Sequence, residues 1–252
     1  MLASVAVRAR RIGRLGVTVD TIQEIWQRAV QSQSPPPTWL VAVTAAAAAL
    51  LVSLPQGWSV SRHLVTIAHE GAHGFVALVT GRRLTGIRLH SDTSGVTVSS
   101  GRPNGAGMIA TTAAGYVGPG VIGLGAAALL GAGYAVGLLW LLLVLLALLL
   151  VQIRNWFGLL SVLATGCAVF AVSWWLPERV QSAFAFFVTW FLLMAAPRPV
   201  IEMQLQRRRR EVRNSDADQL AGLTGVPGIL WVGVFLVATV GAFVAGAYLM
   251  TR

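Results

Sequence analysis

The sequence predicts an all-α polytopic membrane protein of about seven transmembrane helices, with a small β-hairpin inserted after the second. Three observations carry this expectation. Of the 252 residues, 56% are hydrophobic and 11% are charged, and the mean hydropathy is +0.71. Apolar runs recur from Trp39 to Met250, more apolar surface than one soluble core buries. The arginines gather in the segments between those runs, as in loops at a membrane surface.

Residues 1–36 read as a cytoplasmic basic arm followed by an amphipathic surface helix. "MLASVAVRARRIGRLG" has no apolar core of signal-peptide length followed by a small-residue cleavage site, so the arm is expected to be retained. Val19, Ile22, Ile25, Trp26 and Val30 then recur at helical spacing, and "SQSPPP" ends that helix. Residues 37–252 form the membrane domain. At roughly 20 apolar residues per span, candidate spans fall at 38–54, 60–80, 106–131, 134–152, 156–176, 182–198 and 226–250.

With the N-terminus cytoplasmic, the inner segments hold the first arginine cluster, Arg82, Arg83, Arg88, Arg102, Arg154, Arg198 and "RRRREVR". The opposite side keeps only Arg62, Arg179 and Arg252, and this asymmetry sets the expected orientation. The net charge of +10 comes from arginine alone. Basic loops beside spans contact anionic headgroups, so the partner they indicate is the lipid bilayer and not nucleic acid. The single cysteine, Cys167, excludes an intramolecular disulfide and a zinc–thiolate cluster.

Between the second and third spans, "RLTGIRLHSDTSGVTVSSG" alternates Ile87 and Leu89 with Arg88 and His90, then Val96 and Val98 with Thr97 and Ser99, around a "DTSG" turn. That is a hairpin pattern. The third span places Gly123, Ala127 and Gly131 four apart, small residues that let helices pack closely. Pro197 and Pro199 are expected to end the sixth helix.

The second span holds the chemistry. "HEGAH" puts His69 and His73 four apart, about 40° apart on one helix face, where two imidazoles chelate one zinc ion. Glu70 flanks that face, placed to act as general base on a zinc-activated water and to return the proton to a leaving amine. These are the three ionisable residues deep within any predicted span, where such groups mark function. The structural alternative is a hydrogen-bonded polar cluster that stabilises helix packing. His63 and His90 read as interfacial or loop residues. Two other functions compete with peptide hydrolysis: a metal ion transporter, and a non-catalytic zinc-binding membrane regulator. Against the first, the third to sixth spans contain no Asp, Glu or His to line a path. Against the second, a structural zinc site needs no general base.

An HExxH on a membrane helix, followed by a hairpin and a glycine-rich span, resembles the site-2 protease family of intramembrane zinc metalloproteases. The likeness is to the compact bacterial branch without an inserted PDZ domain. "GYVGP" at 115–119, "RNWFG" at 154–158 and "SDADQLAGLTGVP" at 215–227 echo its recurring segments. The resemblance implies Zn2+ as cofactor, His69 and His73 as ligands, Glu70 as catalytic base, a transmembrane protein as substrate and the bacterial plasma membrane as location. It also implies an aspartate near the last span as third ligand. The "LDG" or "NPxPxxxLDG" signature that supplies that aspartate in better-known branches is absent, so the ligand must come from elsewhere. Among Asp92, Glu202, Glu211, Asp216 and Asp218, Asp92 suits its turn and the glutamates have arginines nearby. Asp216 is preferred over Asp218 because it shares a helix face with Leu220 and Leu223, although Ser215 capping a helix also accounts for the pair. For that aspartate to meet the histidines, the segment before Pro227 must dip into the membrane or the histidine helix must sit shallow. Asn155 reads either as a family-style substrate-binding amide near the metal or as a helix-boundary polar residue.

Overall fold

The computed structural model describes residues 19–211 and 214–252; the expected basic arm, 1–18, lies outside them. Helix α1 (Val19–Val30) has the expected bounds. It packs on the start of α5 (Ala135–Gln152), where Gly137 leaves room for the Ala29 carbonyl, which would lie 2.4 Å from a Cβ at that position.

The first two expected spans form a bent pair. Helix α2 (Thr38–Ser53) gives way to α3 (Pro55–Val79) at Leu54, with a bend of 100°. Leu54 precedes a proline and is therefore extended (φ −75°, ψ 130°), and Pro55 opens the next helix, where its missing N–H costs nothing. Gly57 lets the first turn of α3 fold onto Leu51, whose carbonyl would meet a Cβ there at 2.7 Å.

Strands β1 (Arg83–Leu89) and β2 (Gly95–Ser100) pair antiparallel, with a bulge between Leu84 and Gly86. Asp92 does serve the turn: its Oδ1 accepts from the Ser94 backbone N–H at 2.9 Å. Next come α4 (Ala106–Gly131), α5, α6 (Trp156–Trp175), α7 (Glu178–Ala195), α8 (Pro197–Arg208), the nine-residue α9 (Asp216–Thr224) and α10 (Gly228–Thr251).

Among the described residues, five helices are long and apolar enough to cross a membrane, or up to six if the α2–α3 pair counts as one span. The expected count of seven divided that pair in two. The sixth expected helix, α7, does end at Ala195 before Pro197, and Pro197 opens α8 directly. Ala196 stays in the right-handed helical region (φ −55°, ψ −40°), and 178–208 passes as one 31-residue candidate span.

The charge argument for topology also needs correction. Arg62, expected on the face opposite the 198–225 segment, lies 3.4 Å from Glu202 of α8. Glu202 also accepts from Trp58 Nε1 at 2.7 Å and from Arg198 Nε at 3.1 Å. A buried or half-buried carboxylate demands such partners, and they hold α3 and α8 at one depth.

Helix α4 is central, packing on α3, α7 and α10. The glycines that permit this are specific. A Cβ at Gly118 would lie 2.2 Å from Ala72 Cβ of α3, and one at Gly123 would lie 2.9 Å from Leu193 of α7. Gly125, on the same helix, has nothing within 4 Å. Gly118→Ala is therefore expected to cost about 1–3 kcal/mol through overpacking, seen as a lower thermal midpoint in detergent, whereas Gly125→Ala leaves the midpoint unchanged or raises it.

Candidate metal centre

His69 and His73 leave α3 on the face that meets α4. His73 Nδ1 donates to the Thr111 carbonyl of α4 at 2.7 Å. That bond sets the tautomer of a neutral imidazole and leaves the Nε2 lone pair free to bind a cation. The Nε2 atoms of His73 and His69 lie 3.0 Å apart. Asp216 Oδ2 completes a triangle, at 3.4 Å from His69 Nε2 and 3.3 Å from His73 Nε2. This oxygen is buried and makes no hydrogen bond.

Two imidazole lone pairs and a carboxylate oxygen held this close in an apolar interior repel one another unless a proton or a metal cation is shared among them. Their spacing fits zinc: ligand atoms about 2.0–2.1 Å from a tetrahedral ion lie roughly 3.3–3.4 Å apart. The floor of the cradle is Gly115, where a Cβ would stand 2.3 Å from His73 Nε2 and 2.5 Å from His69 Nε2. Tyr116 closes one side, edge-on to the His69 ring with centroids 4.7 Å apart, and stacks on Phe235 of α10.

Asp216 is the first residue of α9, whose start is fixed by a capping box. Ser215 caps the helix, and the Asp218 carboxylate reaches back to the Ser215 backbone N–H at 3.2 Å. Arg207 of α8 donates to Asp218 Oδ1 from Nη2 at 2.6 Å and from Nε at 3.0 Å. Partial burial works against ionisation of Asp218, but the bonds from Arg207 and Ser215 outweigh it and hold the carboxyl below the ordinary carboxylate range. The two aspartates thus divide their work: Asp216 points to the histidines and Asp218 fixes the helix that presents it.

Glu70 lies outside the three-atom cluster. It turns about 100° around α3 from His69 and is 5% exposed beneath β2. The Thr97 hydroxyl donates to its Oε2 at 2.7 Å. A Cβ at Gly95 would meet the Glu70 side chain at 2.5–2.7 Å, so the backbone of β2 rests directly on the carboxylate.

Asn155 bonds to β1. Its amide donates to the Leu89 carbonyl at 2.6 Å and accepts from the Leu89 N–H at 3.1 Å, extending the single bridge between Ile87 and Ile153. It behaves as a strand mimic anchoring β1. His63 packs on Phe157 and His90 lies 3.3 Å from Ser94 Oγ in the hairpin turn, and neither joins the cluster.

Sequence reasoning did not single out Gly115, Tyr116, Thr97, Thr111 or Arg207 as parts of this site. "GYVGP" was a visible signal, but only the fold sets its first glycine against the histidines.

A membrane-type helical bundle in which the two HExxH histidines converge with a buried aspartate carries the ligand set of a metallopeptidase. The model of the Peptidase M50B-like family matches residues 41–246. The chain belongs to that family, and the match supports the likeness to the site-2 proteases drawn from its motifs. Comparison with curated proteins and with solved structures gave no match.

Asp216→Ala and Gly115→Ala are each expected to abolish stoichiometric zinc, measured by plasma mass spectrometry on protein purified in detergent, whereas Asp218→Ala retains most of it. Because its pKa is lowered on folding, Asp218 stabilises the fold fully above the ordinary carboxylate range and loses that contribution as pH falls through its lowered value. The gap in thermal stability between wild type and Asp218→Asn should therefore close on acidification.

Proposed function

We propose that this chain is a zinc-dependent endopeptidase that hydrolyses peptide bonds of membrane-spanning or membrane-proximal substrates. The observation that carries the reading is the convergence of His69 Nε2, His73 Nε2 and Asp216 Oδ2 within 3.0–3.4 Å, the two histidines flanking Glu70 on the same helix. His69, His73 and Asp216 hold the ion. When bound, zinc supplies Lewis acidity that polarises a carbonyl and acidifies a water molecule.

The protein does the rest. Glu70 accepts the proton of the attacking water and delivers it to the leaving amine nitrogen. Thr97 keeps one carboxylate oxygen of Glu70 oriented through its hydroxyl. The Thr111 carbonyl holds His73 in the tautomer that offers Nε2 inward. Apolar packing by Tyr116 and Phe235 limits water beside His69, which strengthens each electrostatic contact. The substrate is a transmembrane segment that unwinds locally, since a helical peptide bond is shielded from attack. A bacterial plasma membrane setting fits the family resemblance.

Glu70→Gln is the decisive variant. It should bind about one zinc per chain, as wild type does, yet cleave a transmembrane reporter at least about 10²-fold more slowly. Equal cleavage by the two proteins removes the protease reading, and metal flux into vesicles without any cleavage replaces it with transport.

A further inference from the structure

Helix α4 carries a proline in its interior, Pro119, and it is buried. Proline has no N–H, so it leaves the carbonyl four residues earlier without its helical partner. Four residues before Pro119 stands Gly115, the floor of the metal cradle. A Cβ on Gly115 would lie 2.3 and 2.5 Å from the two imidazole Nε2 atoms. Adding standard bond lengths, about 4.3 Å from Cβ to the oxygen, places the Gly115 carbonyl oxygen within about 6.8 Å of both. A backbone acceptor that its own helix cannot satisfy is expensive in a bilayer interior. The same restriction applies to a substrate, because an unwound membrane segment brings N–H groups that have lost their helical acceptors.

We propose that the Gly115 carbonyl, which Pro119 leaves free of its helical amide, is the acceptor for one backbone N–H of an extended substrate peptide beside His69, His73 and Asp216. The proposal rests on the proteolytic reading and adds a recognition element to it. It selects for unwound backbone, since a helical segment has its N–H groups occupied, and it reads no side chain. Gly115 therefore serves twice: its missing Cβ makes room for the ion, and its carbonyl binds the chain to be cut. Pro119 is a positioning residue that acts through Gly115.

The test uses the full chain in vesicles and a library of single-span peptides with a randomised central segment. The peptide that wild type cleaves best then serves as the probe. Pro119→Ala gives the Gly115 carbonyl an N–H and, alanine being the best helix former, does not weaken α4. Bound zinc and the thermal midpoint should be unchanged or higher, while the probe binds about threefold to tenfold more weakly to Glu70→Gln/Pro119→Ala than to Glu70→Gln, the range expected for one hydrogen bond. The α-hydroxy analogue of alanine at position 119, with an ester oxygen in place of N–H, should bind the probe as tightly as the proline protein. Unimpaired binding by the alanine variant overturns the proposal, as does weak binding by the ester, which would assign the effect to the proline ring. Loss of zinc in Pro119→Ala overturns it too, by making the proline a structural part of the metal site. If wild type cleaves no library member, the proteolytic reading falls and this proposal with it; cleavage with an unaffected Pro119→Ala defeats this proposal alone.

Discussion

Three polar atoms must meet within 3.4 Å inside a bundle whose walls are built to exclude them. Ionisable groups among apolar helices are costly unless they face one another or a cation, and this constraint accounts for much of the surrounding design. It requires α3 and α4 to approach so closely that Gly115 and Gly118 can bear no side chain against His69, His73 and Ala72. It also requires a carboxylate delivered from a third direction. No spanning helix supplies it. The carboxylate comes from the first residue of α9, a short helix whose N-terminus is held by its own capping box and by an arginine from α8.

Helix α8 works as a strut between the two halves of the site. At Glu202 it receives Trp58 and Arg62 from α3, the helix that bears the histidines. Five residues on, at Arg207, it grips Asp218 of α9, next to the third candidate ligand. Arg198 adds a contact at the bend, lying over the Trp58 ring and donating to the Val52 carbonyl at the end of α2. A charged network of this kind adds little stability by itself. Its geometric effect is larger, because it fixes the distance between two helices that must present ligands to one ion.

The sequence was most legible where one helix carries the whole signal. Two histidines four apart with a glutamate between them define a face from local geometry alone, and α1, the hairpin and α4 follow from equally local patterns. Asp216 was preferred for the face it shares with Leu220, and Leu220 is indeed fully buried. The charge-based placement failed because it depended on a distant partner. Arg62 was assigned to one side of the membrane by its position along the chain, whereas its place is set by Glu202, 140 residues away in sequence. The seven-span count split α2 from α3 because hydropathy registers no bend. Asn155 carried two readings, and its amide proves to be engaged by Leu89, a pairing that only the fold creates. Pro197 does follow the end of α7 at Ala195, and the helical dihedrals of Ala196 let α8 start at once.

The division of labour around α3 follows from the same geometry. Successive residues on a helix point about 100° apart, so His69 and Glu70 cannot share a wall. The histidines face α4, whose glycines yield space without contributing polar side chains, while Glu70 faces β2, whose backbone and Thr97 hydroxyl contribute polarity without bulk. The hairpin is fixed on both sides: β1 is tied to Ile153 and Asn155, and the turn after it is tied to α3 by the Thr66 hydroxyl, which donates to the Thr93 carbonyl at 2.8 Å. A two-stranded hairpin is marginal alone; these anchors make it a lid of set position over the carboxylate. The metal ligands and the base are thereby held by different partners, and a change in one wall need not disturb the other.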